Sequence, residues 1–394
     1  MNYRKFSDKI DFVPSALGFG LMRLPIKDGH TVDVDESVRM VRYAIDRGVN
    51  YLDTAYMYHG GESEKVMAKV LKDGYREKVK IADKFPMWML NNESDKDRIF
   101  NEQLQKLEVE KIDFYLLHAL SKDSHEKIVN FEMIDWLKQK RAQGKIDYIG
   151  FSFHDDFEYL KQVIELHDWD FCMLQFNFMD VATQLNLSAL KYVREKNMGL
   201  IVMEPLRGGQ LTISIPDDIA QMWKQFGDTM HKDTDTPPSP AQYMLDWVWH
   251  FEEVSFAISG MSNIEQVRQN IEYAEQSKIG KYTPEQMALI DKIREMYQKR
   301  IAINCTDCKY CTKDCPQKIA IPYIFNQINE CQRYQSQKTP TFRYGFLPES
   351  QRANKCIDCK VCIPLCPQKL DIPTLLQKSS KVFDEKQAYN EIQF

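Results

Sequence analysis

Four residues of proton-transferring types stand near the ends of three strand-like stretches. In NYLDTAYMY, Asp53 lies five residues before Tyr58, VKIADK ends on Lys84, and IDFYLLH ends on His118. An acid, a phenol, an ammonium and an imidazole together are what a proton-donating site needs. Each one alone is better explained as a hydrogen-bonded polar residue, so the chemistry depends on a fold that brings the four together.

A second set of chemical residues lies in the last quarter of the chain, which holds nine of the ten cysteines. CTDCKYCTKDCP and CIDCKVCIPLCP both have the spacing C-x₂-C-x₂-C-x₃-C-P, in which three thiolates bind one iron–sulfur cluster and the fourth ligates its partner. We therefore predict two [4Fe–4S] clusters. One is bound by Cys305, Cys308, Cys311 and Cys366, and the other by Cys315, Cys356, Cys359 and Cys362. Zinc is the alternative, but zinc sites favour pairs of CxxC arms.

The cysteine region is an internal duplication, because CPQKIAIP returns as CPQKLDIP. The insert between the two motifs is long for a compact two-cluster ferredoxin. Its stretch IPYIFNQINECQRY is helix-like, as is IPTLLQKSS after the second motif, so the module resembles the α-helical ferredoxins. Cys331 lies in the insert and is expected to be a spare buried thiol.

Composition limits the remaining classes of protein. The chain has 394 residues, which suits one large domain and a smaller one. Its net charge is −5 with no basic block, which argues against nucleic acid as the main partner. No run approaches the ~20 apolar residues that a membrane span requires. A secreted disulfide protein would not leave Cys172 as the only cysteine before residue 300, so we expect a cytoplasmic protein.

Apolar runs alternate with amphipathic helical patterns up to about residue 280. The eight strand candidates are LGFGLMRL, NYLDTA, VKIADK, IDFYLLH, YIGFS, FCMLQF, GLIVMEPL and VSFAISG. Each is followed by a predicted helix, and EKIVNFEMIDWLKQKRAQG reads as one helix ending at Gly144. Eight such units predict an α/β fold, a parallel (β/α)₈ TIM barrel. An open doubly wound sheet would carry a G-x-G-x-x-G turn after its first strand, which GFGLMRLP does not match.

The character of the sequence changes near residue 282. TPEQ is a capped helix start, and the helix that follows it is expected to reach about Arg300. We therefore predict a barrel over residues 1–282, a connecting helix over 283–300, and a small, mainly helical ferredoxin-like domain with two clusters over 301–394.

Six segments in matching order resemble the aldo-keto reductases: DTAYMYHGGESE, IADK, IDFYLLH, GKIDYIGFS, LQFNFMD and ISGMSNIEQVRQN. The resemblance covers about residues 3 to 280. It implies that the barrel holds NADP(H) at the carboxyl ends of its strands and that Asp53, Tyr58, Lys84 and His118 are the catalytic tetrad. Tyr58 would give a proton to the carbonyl oxygen, Lys84 would acidify the phenol, Asp53 would hold Lys84, and His118 would orient the carbonyl.

The same resemblance implies a set of nucleotide-binding residues. They are Gly20, Met22, Arg23, Asp53, Ser152, Gln175, Met203, Pro205, Leu206, Gly260, Ser262, Gln266, Gln269 and Asn270. Phe153 stands where the family often has Asn, and Met203 where an aromatic ring often stacks on the nicotinamide. The basic residues that many members use on the 2′-phosphate are missing, so NADP(H) is expected with NAD(H) as the alternative.

The substrate expected from the resemblance is a small carbonyl or alcohol compound, and the substrate-facing candidates are Tyr56, His59, Phe85, Trp88 and His154. We expect an oxidoreductase that interconverts the two groups, with clusters that exchange electrons with a ferredoxin- or flavodoxin-type carrier. A flavin usually links hydride and one-electron chemistry, and the sequence has no flavin signature. Two alternatives stay open: a plain reductase with structural clusters, and a nicotinamide-binding redox sensor with an idle barrel.

Overall fold

The protein is described by a computed structural model covering residues 1–29, 31–181, 187–213, 215–230 and 239–394. The chain divides into two compact units, Met1–Pro205 with Ala241–Thr283, and Leu206–Pro240 with Pro284–Phe394. The domain limits expected at residues 282 and 300 stay a prediction. In the described part of the chain, no helix has the length and apolar character needed to cross a bilayer.

Eight parallel strands of the first unit close into a barrel, which confirms the predicted fold class. They are β1 (Leu17–Gly20), β2 (Tyr51–Asp53), β3 (Lys80–Pro86), β4 (Ile112–Leu120), β5 (Ile146–Phe153), β6 (Phe171–Gln175), β7 (Gly199–Met203) and β8 (Phe256–Gly260). Each strand pairs in parallel with its neighbours in sequence, and β1 pairs with both β2 and β8 to close the circle.

Helices follow the strands of the first unit. They span Val34–Asp46, Glu62–Val70, Ser94–Leu107, His125–Asn130, Met133–Ala142, Phe157–Glu165, Leu187–Glu195, Pro240–His250 and Ile264–Glu275. The single helix predicted before Gly144 is wrong, because the chain breaks it at Phe131 and Glu132. Glu132 has a φ of 47°, which helical backbone does not allow.

Alternation along the strands decides which residues face the barrel interior. Tyr51, Ala82, Leu116, Met173 and Ile201 all belong to the interior cluster of apolar side chains. Side chains on one strand alternate between its two faces, so the residues two positions further on face the same interior. These residues are Asp53, Lys84, His118, Gln175 and Met203. The polar inner residues therefore gather at the carboxyl ends of the strands, above an apolar floor.

The second unit is helical. Its helices span Gln210–Ile213, Asp217–Met230, Pro284–Gln298, Tyr310–Lys313, Ile321–Tyr334, Lys338–Tyr344, Cys362–Leu365 and Ile372–Phe383. Its core includes Ile303, Ile324, Phe325, Ile328 and Leu376. The helix predicted from TPEQ is present as Pro284–Gln298 and packs against Asp217–Met230.

A buried carboxylate ties several parts of the second unit together. Glu330, whose side chain is only 2% exposed, lies 2.9 Å from the Arg207 guanidinium and 2.5 Å from that of Arg333. Arg207 also donates a hydrogen bond of 2.6 Å to the hydroxyl of Tyr334, which is fully buried. Since Arg207 comes from the stretch before residue 240, this network joins that stretch to the helix Ile321–Tyr334.

Replacing Glu330 with alanine should destabilise the second unit strongly. The change removes the carboxylate from two poorly hydrated guanidinium groups, which costs about 3–5 kcal/mol when a buried pair loses one partner. Denaturant unfolding of the purified full chain measures the effect. Glu349→Ala is the control, because Glu349 pairs with Lys355 at the surface and its removal should change nothing measurable. Equal unfolding midpoints for the two variants would contradict this prediction.

Candidate active site and cluster-binding motifs

Lys84 is the centre of the polar group at the carboxyl end of the barrel. Its ammonium donates hydrogen bonds to the carboxylate of Asp53 at 2.5 Å, the carbonyl oxygen of Thr54 at 2.7 Å and the hydroxyl of Tyr58 at 3.4 Å. Lys84 and Asp53 are only 1% and 2% exposed. The ammonium is thus held by the acid in a dry site, with its third donor directed at the phenol.

Tyr58 is placed by the loop that follows β2. The loop turns through a short helix, Tyr58–Gly61, in which His59, Gly60 and Gly61 have φ values of 53°, 65° and 91°. Glycine adopts such backbone without steric cost, and Gly61 then leads into the helix Glu62–Val70. This sharp reversal turns the phenol back over the strand ends.

His118 completes the group of four. Its ring lies 6.0 Å from that of Tyr58, in an edge-on arrangement, and the indole of Trp88 lies 5.0 Å away on a loop after β3. Burial, together with the charge of Lys84, lowers the pKa of His118 well below its ordinary value. The imidazole is therefore neutral at physiological pH and can donate or accept one hydrogen bond without adding charge.

Burial dominates the acid–base properties of the phenol. Desolvation raises the pKa of Tyr58 above its ordinary value, and the Lys84 ammonium offsets part of this rise. Lys84 thus lowers the pKa of Tyr58, as expected, but burial outweighs this effect and the phenol is not more acidic than a free one. Burial also lowers the pKa of Lys84, but Asp53 and Tyr58 together raise it above its ordinary value. The site holds a protonated phenol beside a protonated amine.

The cysteines line two separate cavities in the second unit. One cavity is lined by Cys305, Cys308, Cys311 and Cys366, and the other by Cys315, Cys356, Cys359 and Cys362. The empty space at each, including the part that is open to solvent, is about 320 Å³. No three His, Cys, Asp or Glu side chains in the described part of the chain are placed to hold a single metal ion. The donor sets and the space fit a larger group in each cavity. Cys331 is fully buried and lines neither cavity.

The backbone around the cavities repeats the duplication seen in the sequence. Three non-glycine residues of each motif adopt left-handed conformation at equivalent positions, with nearly equal φ values. They are Asp307, Lys309 and Lys318 at 53°, 63° and 51°, and Asp358, Lys360 and Lys369 at 52°, 61° and 53°. Such conformations are uncommon outside glycine and gather at ligand sites. Both motifs are therefore bent in the same way around their cavities.

Comparison with known proteins identifies both parts of the chain. Residues 16–295 match the aldo/keto reductase family. The chain belongs to the aldo/keto reductase family. It is an oxidoreductase by that membership, and its residues 304–370 match the 4Fe-4S dicluster domain.

Individual relatives agree with this membership. An L-galactose dehydrogenase from Arabidopsis thaliana is 26% identical over 272 residues, which cover 65% of this chain and 83% of the relative. An NADH-specific methylglyoxal reductase from Escherichia coli (strain K12) is 24% identical over 299 residues, 66% of this chain and 90% of that protein. Both alignments span most of a relative and leave a third of this aldo/keto reductase unmatched.

Solved structures share the fold. A thermostable aldo-keto reductase in complex with the inhibitor epalrestat superposes with a TM-score of 0.60 at 24% identity, over 74% of this chain and 100% of that chain. An aldo-keto reductase from Klebsiella pneumoniae in complex with NADPH superposes with a TM-score of 0.59 at 22% identity, over 75% and 96% of the two chains. Both confirm the barrel architecture.

The residues expected to bind the nucleotide in this aldo/keto reductase lie at several strand ends. Gly20 pairs with Asp53 on β2 and with Gly260 on β8. A side chain at Gly260 would meet that of Arg23 at 3.1 Å, so the glycine leaves room for Arg23. Met22 is exposed and Met203 packs on the interior cluster. Pro205 is buried in the first unit, and Leu206 precedes the short helix Arg207–Gly209 of the second.

The segment after β8 forms a helix N-terminus. Asn263 caps Ile264–Glu275 by accepting a 2.9 Å hydrogen bond from the backbone of Gln266, and Gln266 accepts one of the same length from Ser262. Ser262 and Gln266 are exposed, Gln269 is bonded to Glu265, and Asn270 is bonded to Ser259. Backbone N–H groups at such a terminus suit phosphate.

Asn177 and Asp180, which the sequence analysis did not single out, lie just beyond the carboxyl end of β6. The amides of Gln175 and Asn177 both donate to Asp180, each at 2.7 Å. On the neighbouring strand, Ser152 accepts a 2.8 Å hydrogen bond from the backbone of Ala119. Asp180 therefore fixes which way the Gln175 amide points. Asp180 ends the motif LQFNFMD, five residues after Gln175, and this position in the sequence could have indicated its role.

The substrate-facing candidates differ in their exposure and in their contacts. Trp88 is 49% exposed beside His118, and His154 is exposed. Phe85 is fully buried and packs edge-on against Trp136 on the outer face of the strand, so its assignment to the substrate is wrong. Tyr56 donates a hydrogen bond to Glu102, and His59 accepts one from the backbone of Leu24. These two side chains are already engaged.

Proposed function

We propose that this protein is an NAD(P)H-dependent oxidoreductase that interconverts a small carbonyl compound and its alcohol. The contact that carries the proposal is the 3.4 Å hydrogen bond from Lys84 to Tyr58, made by an ammonium already paired with Asp53. A structural polar cluster does not need a phenol bonded to a buried ammonium at the strand ends beside a neutral imidazole. A proton-donating site needs both.

Tyr58, Lys84 and His118 each have a separate role in the proposed reduction. A nicotinamide nucleotide, when bound, would supply the hydride that the carbonyl carbon needs. The oxygen then carries the developing negative charge and takes the proton of the Tyr58 hydroxyl, so one hydride and one proton convert the carbonyl to the alcohol. Lys84 stabilises the phenolate that is left, because a cation within hydrogen-bond distance favours the charged form. His118 donates a hydrogen bond that fixes the carbonyl oxygen near Tyr58.

The nucleotide is proposed to lie along the inner strand ends. Ser152 and Gln175 would hold the carboxamide, Gly20, Met22, Arg23, Met203, Pro205 and Leu206 the central part, and Gly260, Ser262, Gln266, Gln269 and Asn270 the adenosine phosphate. One relative is named for NADH and one neighbour holds NADPH. We propose NADP(H), with NAD(H) as the alternative that a direct affinity comparison would decide.

The second unit is proposed to hold two [4Fe–4S] clusters, one per cavity, by the crossed sets of four cysteines. Such clusters supply one-electron transfer when bound. Cys308 and Cys359 are the exposed member of their sets, so both cavities reach the surface of the unit. This suits exchange of electrons with a small carrier protein of the ferredoxin or flavodoxin type.

Anaerobic assay of the reconstituted full chain tests the proposal. We expect NADPH to be consumed only when a carbonyl compound is added, and dithionite to bleach the cluster absorbance. If NADPH also bleaches the cluster absorbance without added flavin, electrons pass from the nucleotide to the clusters within the chain. If only dithionite bleaches it, the two redox centres work separately. Tight nucleotide binding without turnover of any carbonyl in a broad panel would overturn the enzyme proposal in favour of a redox sensor.

A further inference from the structure

Two carboxyl groups are buried together behind the tetrad. Asp83 precedes Lys84 on β3 and faces the helices, while Glu64 comes from the helix Glu62–Val70, and neither is exposed to solvent. One oxygen of Asp83 accepts a 2.8 Å hydrogen bond from the backbone of Lys84. One oxygen of Glu64 accepts a 2.9 Å hydrogen bond from Lys106.

The remaining oxygen of each group has no hydrogen-bond donor among the described residues. The two carboxyl groups lie close enough for each to act on the other electrostatically. Ionised carboxylates only accept hydrogen bonds, so a contact between them requires one proton. Without it, two negative charges would lie side by side where neither carboxyl group is exposed to water.

The surrounding charges fit a pair that carries one negative charge in total. Lys106 from the helix Ser94–Leu107 balances that charge, and its ammonium also lies 3.7 Å from the ring centre of Tyr56. The titratable groups that face the pair from the neighbouring elements are Lys84 on β3, Tyr115 on β4, and Glu102 and Lys106 on the helix Ser94–Leu107. Lys84 is already paired with Asp53, so a second negative charge here would have no cation of its own.

We propose that Glu64 and Asp83 share a single proton, and that this pair is a positioning device for Lys84. Asp83 holds the backbone N–H of Lys84, and Gln103 donates a 3.0 Å hydrogen bond to its carbonyl oxygen. Gln103 in turn accepts a hydrogen bond from Tyr115. Both backbone groups of the tetrad lysine are thus bonded to side chains of the outer layer. The catalytic part of this inference rests on the proposed function, but the shared proton does not.

The direction of the titration follows from burial. Desolvation raises the pKa of Asp83 well above its ordinary value and Glu64 adds to the rise, while desolvation also raises the pKa of Glu64. The native protein therefore keeps a proton that the unfolded chain has lost above pH ~4. Stability conferred by this proton is present at low pH and declines as the pH rises towards the pKa of the pair.

Asp83→Asn and Asp83→Leu, made in the full chain, separate the two parts of the proposal. The amide in Asp83→Asn can donate to Glu64 and accept from the Lys84 backbone, as the protonated acid does. Leucine has a similar size and can do neither. Asp113→Asn is the matched control, because Asp113 is a buried carboxyl on the adjacent strand that faces two cations, Arg76 and Lys80.

Infrared spectroscopy at neutral pH should show a protonated carboxyl band in the wild type and in Asp113→Asn that is absent from Asp83→Asn. The unfolding equilibrium constant of the wild type should rise by up to tenfold per pH unit relative to Asp83→Asn, since one proton is linked to folding. A band that persists in Asp83→Asn, or equal pH slopes, would overturn the shared proton. Neither readout depends on enzymatic activity.

Carbonyl turnover then tests the positioning role. Asp83→Leu should lower kcat by about 100-fold, as a small displacement of a catalytic group does, with nucleotide affinity retained. Asp83→Asn should restore most of the loss and remove the alkaline step of the kcat profile that belongs to the shared proton, leaving the step of Tyr58. If Asp83→Leu turns over like the wild type with an unchanged pH profile, Asp83 does not position Lys84.

Discussion

Replacing Tyr58 with phenylalanine is expected to lower the rate of carbonyl reduction by about 10²- to 10⁴-fold, the usual contribution of a positioned proton donor. The ring still fills its place, while the hydroxyl bonded to Lys84 at 3.4 Å is lost. Single-turnover reduction by NADPH under anaerobic conditions measures the step, and nucleotide affinity should change little. The control is Tyr56→Phe, in the same loop, whose hydroxyl is bonded to Glu102 instead.

The pH dependence of the reaction rates provides a second, independent test of this prediction. Because burial raises the pKa of Tyr58, the phenol stays protonated through neutral pH, and reduction should fall as alkaline pH removes that proton. Alcohol oxidation needs the phenolate and should rise over the same range. Tyr58→Phe should lose both responses. A Tyr58→Phe variant that reduces carbonyls at the wild-type rate would show that the proton comes from elsewhere.

Local patterns were enough to predict the barrel and the strand ends at which Asp53, Lys84 and His118 stand. The strands alternate or run apolar over a few residues, and Asp53, Lys84 and His118 each end such a run, so parallel pairing alone brings them to one edge. The alternation that places Lys84 inside also places Phe85 outside, against Trp136. Applied strictly to the sequence, this alternation would have excluded Phe85 from the substrate-facing candidates.

Other features depend on contacts that no local pattern carries. The helix breaks at Glu132, whose backbone is in the left-handed conformation, although the sequence there has a continuous helical periodicity. The stretch containing Arg207 and the helix Asp217–Met230 belongs to the second unit because of partners far along the chain, such as Glu330. The pKa of Tyr58 rises because burial outweighs the nearby cation, and burial is a property of the finished fold.

The cysteine sets allow a test with an equally large effect. Replacing Cys315 and Cys356 together with alanine should remove one cluster and leave about half of the iron and labile sulfide, because both residues line the same cavity. Replacing Cys305 and Cys315 together should remove both clusters, although these two residues belong to one sequence motif. Cys331→Ala is the control and should keep the full iron content, since this buried thiol lines neither cavity.

These double variants decide whether each cluster is bound by cysteines of one motif or of both. If each motif bound its own cluster, Cys305 with Cys315 would cost one cluster and Cys315 with Cys356 would cost two, the reverse of the expected pattern. Crossed ligation has a structural consequence beyond the iron count. Cys366 lines the cavity of the first motif and Cys315 that of the second, so in crossed ligation each motif would contribute its last cysteine to the cavity of the other. Neither half of the duplication can then hold a complete cluster alone, which gives the 40-residue insert its role of keeping the two motifs together.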